Sequence, residues 1–224
     1  MWYQLELSKI LTFTVFGFHL YMTVLLCNGL QDDSILVDLA AALASEGVNV
    51  FRFDFAGNGE SEGVFQYGNY RKEADDLRSV VSYFAEQKYA IIALVGGNAV
   101  LLYASMYHDV TTIVNISGRF ALEQGEFEYR VTDESLRDRL SADTLLSSRS
   151  ISKDCRVLTV HGLKDGTVPA GGALMFAANI PNNELHIVAG ANHRYTGHER
   201  ELTSLVLDFI KPRSPTSASL RPKL

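Results

Sequence analysis

Between residues 21 and 210 the chain alternates short strand-type runs with longer helical stretches, and this alternation leaves few folds open. The strand-type runs are YMTVLLC, VNVFRFDF, YAIIALV, VTTIVNISG, CRVLTVHG and NELHIVAG. Between them lie helical segments with legible ends and faces. DDSILVDLAAALASEG opens on Asp residues and closes on Gly47, the expected capping asymmetry. YRKEADDLRSVVSYFAEQ places Leu77, Val80, Val81 and Phe84 on one face. GNAVLLYASMYH, AGGALMFAANI and ERELTSLVLDFIK complete the set. Strands joined through helices pair in parallel, and a parallel sheet is covered on both faces. The expected fold is therefore α/β, a mostly parallel central sheet flanked by helices on both faces. Arg119 to Lys153 reads as a polar, charge-rich segment.

A chain of 224 residues suffices for one such domain, expected over residues 1–211. With 47% hydrophobic and 21% charged residues it has an ordinary globular composition. A formal net charge of −6 disfavours nucleic acid and anionic membranes as partners. The Pro- and Ser-rich end, residues 212–224, reads as a disordered tail. Cys27 and Cys155 make no disulfide framework, and no Cys/His spacing suggests zinc, so no metal is expected and a reducing, cytoplasmic setting is. The N-terminus leaves two readings open. Ile10 to Cys27 carries no charge with His19 neutral, as a signal or anchor would. Its period-two spacing, with Leu11, Phe13 and Val15 on one side, is instead that of strands.

Three segments carry a resemblance to a known family. FRFDFAGNGESEG sets an Asp, a Gly-x-Gly and a Ser in order after a strand. LTVHGLKDGTVP follows a later strand, and VAGANHRYT the next. On these the stretch from Asp32 to Ile210 resembles the α/β-hydrolase superfamily, in its plant esterase/lipase-like branch grouped with serine aminopeptidases and monoacylglycerol lipases. That family sets a nucleophilic Ser, an acid and a His in chain order. The resemblance implies Asp165 as orienting acid and His193 as general base, both at the C-terminal edge of the sheet. It implies no cofactor, and as substrate a small ester or amide. His161, His186 and His198 read as structural or exposed.

The nucleophile is the departure. The family's Gly-x-Ser-x-Gly elbow stands between a strand and a helix, where this chain reads Ala93-Leu94-Val95-Gly96-Gly97. Matching Gly96-Gly97 to the closing glycines puts Leu94 at the nucleophile position, in a segment about one residue short. Ser105 is more than two helical turns further on, and Ser117 ends a strand with no tight turn to present it. Ser61 suits turn hydrogen bonding, and Cys27 a buried strand. Leu30 and Val95 are the carried-over backbone donors for an oxyanion hole, in loops that are also short. The family's lid is expected to be reduced, since SGRFALEQGEFEYRVTDESLRDRL leaves little room for a helical cap.

Two functions follow. One is a serine hydrolase of ester or amide bonds, impaired at Leu94, through loss of catalysis or an incorrectly spliced transcript. The other is a non-catalytic relative that binds a small apolar ligand or a protein partner. A nucleotide site is disfavoured, because Gly57-x-Gly59 and Gly96-Gly97 complete neither a GxGxxG nor a Walker motif. The Asn115 sequon lies in a core strand and is expected to stay unused.

Overall fold

The computed structural model describes residues 22–28, 34–59, 61–123 and 131–211. The expectations for residues 1–20, for Leu30 and for the tail 212–224 lie outside these. In chain order the elements are β1 (Met22–Asn28), α1 (Ser34–Ser45), β2 (Asn49–Asp54), α2 (Tyr70–Glu86), β3 (Ala90–Gly96), α3 (Asn98–Tyr107) and β4 (Thr112–Ile116). There follow α4 (Asp133–Ser141), α5 (Thr144–Ser150), β5 (Arg156–Gly162), α6 (Gly171–Asn179), β6 (Asn183–Val188) and α7 (Glu199–Ile210). The strands form one sheet in the order β2-β1-β3-β4-β5-β6, with every pairing parallel. Among the described residues no helix is long and apolar enough to cross a membrane.

Period two along the strands divides the core. Leu94 of β3, Ile113 of β4 and Val157 of β5 face one way and pack with α2, α3 and Phe176 of α6. Ala93, Val95, Val114 and Leu158 face the other way and pack with α1 and α7. The two helical faces follow from sequence in the same manner. On α2 the predicted stripe of Leu77, Val80, Val81 and Phe84 is buried, with Ala74 one turn earlier. The first seven positions of α3, by contrast, run almost wholly through the core, Ala99 to Ala104 all being buried.

The segment from Arg119 to Lys153 holds two helices where a polar stretch was expected. Periodicity is weak there because α4 and α5 are short and mostly polar. Their ends carry the signal instead, since Thr132 and Asp143 accept bonds from Ser135 N–H and Leu146 N–H at the helix starts. Arg139 of α4 is fully buried, donating from Nε to Leu122 O at 2.9 Å and stacking over Tyr67 at 5.0 Å.

Strand order also locates the site. From β1 the chain moves outward to β2, then returns past β1 to β3 and builds the rest in the opposite direction. Loops leaving the C-terminal ends of β1 and β3 therefore diverge, and a crevice opens at that edge.

Leu94 is completely buried inside β3, two residues before the strand ends. Leu94→Ser is expected to lower stability by about 3 kcal/mol or more in urea unfolding. It is expected to yield no fluorophosphonate-reactive serine, since the hydroxyl would face the core between β3 and α3.

Candidate active site

Asp165 stands three residues beyond β5 with its side chain fully covered. Its Oδ1 accepts from Thr167 N–H at 2.8 Å and Val168 N–H at 2.7 Å, which closes the loop as an Asx turn. Its Oδ2 lies 2.7 Å from His193 Nδ1 and 3.3 Å from His161 Nε2. Burial opposes ionisation of this carboxyl, but the bonds from His161, His193 and Val168 N–H outweigh it. They hold the group well below the usual carboxylate range.

His193 comes from the loop between β6 and α7. Gly162 lets that loop come close: a Cβ there would lie 2.4 Å from Ala191 O. Lys164 N–H then donates to Ala191 O at 2.9 Å, joining the acid's loop to the histidine's. On the far side Tyr195, buried and at φ +52°, bonds through its hydroxyl to Ser117 Oγ at 3.1 Å. The imidazole is pinned at Nδ1, and the side chain, 37% exposed, lines a cavity.

That cavity, of about 250 Å³, lies over the C-terminal edge of the sheet. Gly96, Gly97 and Asn98 form one border, Ser117 and Gly118 another, and Phe55, Phe65, Tyr67 and Tyr70 an aromatic wall. Asn98 is locked in place, its Nδ2 donating to Arg119 O at 2.6 Å and its Oδ1 accepting from Arg119 N–H at 2.8 Å. Glu73 of α2 also faces the cavity. Burial, then the neighbouring Asp76, push its carboxyl up to about 8, against the pull of Arg139.

The residues expected at the nucleophile end are placed as follows. Strand β3 runs through Leu94 and Val95 to Gly96, and Gly97 precedes α3 at φ −99° and ψ −128°. Val95 is in register with Leu26 and Val114, so its peptide belongs to the sheet. From Leu94 to Gly97 no residue bears a hydroxyl. Ser105 donates to Leu102 O within α3, and Ser61 to Asp54 O within its turn, both at 2.7 Å. Ser117 departs from expectation: it sits in a tight turn at φ +52° and lines the cavity. Cys155 is buried away from the site, its thiol pushed up to about 11 by desolvation. Among the described residues no His/Cys/Asp/Glu group could hold a metal ion.

The structure thus brings Asp165 and His193 together and sets them across the cavity from the β3–α3 bend. Sequence reasoning missed Glu73, Tyr67 and Tyr70, which look like ordinary helix and loop residues along the chain. It also missed the second task of His161, whose bond to Val168 O at 2.9 Å aims it at Asp165. The spacing of His161 and Asp165, four residues across a strand end, was the available signal.

A family model described as serine aminopeptidase, S33, matches residues 20–131. Among curated proteins none matches the chain. Solved structures share the fold. Est1E from Butyrivibrio proteoclasticus, with ferulic acid bound, has a TM-score of 0.75 at 20% identity over 84% of this chain and 87% of that one. The Pyrococcus furiosus esterase Pf2001 has 0.69 at 18%, over 94% and 95%. The monoacylglycerol lipase of Paleococcus ferrophilus has 0.70 at 16%, over 89% and 97%.

The two perturbed carboxyls predict opposite pH behaviour. Asp165 is depressed, so its contribution is present above its ordinary value of 3.8 and is lost as pH falls below that. Asp165→Asn is expected to cost about 2 kcal/mol at pH 7, a gap that begins to narrow only below pH 3.8 in denaturant titrations. Glu73 is raised, so between its ordinary 4.5 and about 8 only the unfolded chain releases the proton, and stability drains away as pH rises. Glu73→Gln is expected to raise the melting temperature by about 3 °C or more at pH 8 and to leave it unchanged near pH 4.

Proposed function

Because the chain belongs to the serine aminopeptidase S33 family, we propose that its cavity is the acyl pocket of a serine hydrolase of esters or amides, with the nucleophile missing. The observation that carries this reading is the 2.7 Å contact of His193 Nδ1 with Asp165 Oδ2, facing a bend made of Gly96 and Gly97.

In such a pocket the acid accepts a hydrogen bond from the imidazole Nδ1–H, which leaves Nε2 as the base. Asp165 has the hydrogen bonds to remain ionised in that role, and His193 stands at the cavity's edge to take a proton. The hydroxyl that would give up the proton is absent, since Leu94 occupies its place in the sequence and lies in the core. Without it the acyl-enzyme route is closed, and hydrolytic turnover is absent or very low. Two of the solved neighbours, an esterase and a monoacylglycerol lipase, support a small ester as the substrate class of such a pocket.

The retained cavity favours a second reading, a non-catalytic relative. Its aromatic wall of Phe55, Phe65, Tyr67 and Tyr70 offers a small apolar group a place to bind with no chemistry to follow.

Fluorophosphonate labelling of the folded chain, with the modified residue located by mass spectrometry, is the test. The expected result is no labelled serine and no p-nitrophenyl ester turnover that depends on His193. A serine whose label vanishes in His193→Ala would return the chain to the active hydrolases, with Ser117 the first place to look.

A further inference from the structure

We propose that the outer edge of β6 is a dimerisation edge, on which a second copy of this chain adds its own β6 antiparallel, about a two-fold axis at Leu185.

Strand order leaves β6 at the end of the sheet, paired only with β5 among the described residues. Its backbone is divided by parity. Val157 N–H donates to Asn182 O and Leu163 N–H to Val188 O, so the even-numbered residues turn their polar groups towards β5. Asn183, Leu185 and Ile187 therefore turn theirs outward. An edge strand with outward N–H and C=O groups is a template for another strand. The usual guards are missing from it. NELHIV holds no Pro, Gly or Lys, and its register with β5 runs without a bulge.

Self-complementarity selects a second copy as the occupant. With the axis at Leu185, that residue meets Leu185 of the second copy in a pair that exchanges both backbone bonds. Asn183 meets Ile187 of the second copy in the same manner. Glu184 then stands opposite His186 of the second copy, and His186 opposite its Glu184, in the close pairs where side chains touch. Within one chain these two side chains already join at 3.0 Å, both partly exposed, so acid and base stand at the surface in matching positions.

The two faces of the sheet agree with this register. Val157, in register with Asn183, packs with Phe176 of α6, whereas Val188 packs with Leu202 and Val206 of α7. Period two thus puts Leu185 and Ile187 on the α6 side and Glu184 and His186 on the α7 side. Ile187 is 37% exposed, and α6, which packs on β6, exposes Leu174 and Met175. A two-fold axis perpendicular to the sheet keeps each helical layer on its own side, so α6 comes to lie beside its own copy. Apolar side chains border one side of the seam and charged pairs the other.

The test is the oligomeric state of the full chain, by sedimentation velocity and amide exchange over about 1 to 100 μM. The expected result is a dimer in which exchange at Leu185 and Ile187 slows as concentration rises. His186→Glu puts acid opposite acid twice across the seam and is expected to weaken the dimer about tenfold. Adding Glu184→Lys to it is expected to restore the dimer. Mild oxidation should link Leu185→Cys to its copy, while Ile187→Cys, roughly 14 Å from its copy in this register, stays unlinked. A monomer at every concentration overturns the proposal, whether the edge stays open or residues 212–224 of the same chain take it. So does a dimer whose exchange slows only on other surfaces, or one that Ile187→Cys links and Leu185→Cys does not. Sedimentation and exchange use the unaltered chain, so they decide even where a variant does not fold.

Discussion

A parallel sheet buried on both faces is the constraint from which the rest follows. Every strand must leave the sheet at the same edge, cross over through a helix and re-enter at the other edge. All loops between a strand and its following helix therefore gather at one side. Residues far apart in the chain, Gly97, Ser117, Asp165 and His193, meet there because their strands end together. The reversal of strand order beside β1 then opens a crevice among them.

Within that crevice the best-determined object is a carboxylate. Each oxygen of Asp165 faces two donors, so its charge, though covered, is matched on all sides. Removing any one donor would leave the others holding the group, which makes it an anchor that tolerates change nearby. The histidine loop depends on it from one side and on the Tyr195–Ser117 bond from the other. None of the hydrogen bonds that hold this pair comes from the β3–α3 bend.

The opposite border of the cavity is the bend between β3 and α3. Where a strained turn would raise a side chain above the sheet, β3 passes into α3 through Gly97 with no side chain to present. The start of α3 has no side-chain cap and borders the cavity, while the Asn115 amide is buried in β4 opposite Gly96.

The sequence by itself determined the layers. Strand and helix runs, the stripe on α2 and the period-two division of Leu94 from Val95 are local patterns, and burial of apolar area is enough to enforce them. Asp165 and His193 were legible as well, because each follows a strand in a loop whose residue types resemble a known family's. The helices α4 and α5 were not, since their burial rests on Arg139 and a few caps and not on a stripe. Tertiary structure alone decided the wall of the cavity. Glu73 and Tyr67 acquire their roles from groups distant in sequence: desolvation at Glu73 and the Arg139 guanidinium over Tyr67. Such roles depend on distance and dielectric, which a linear pattern does not encode.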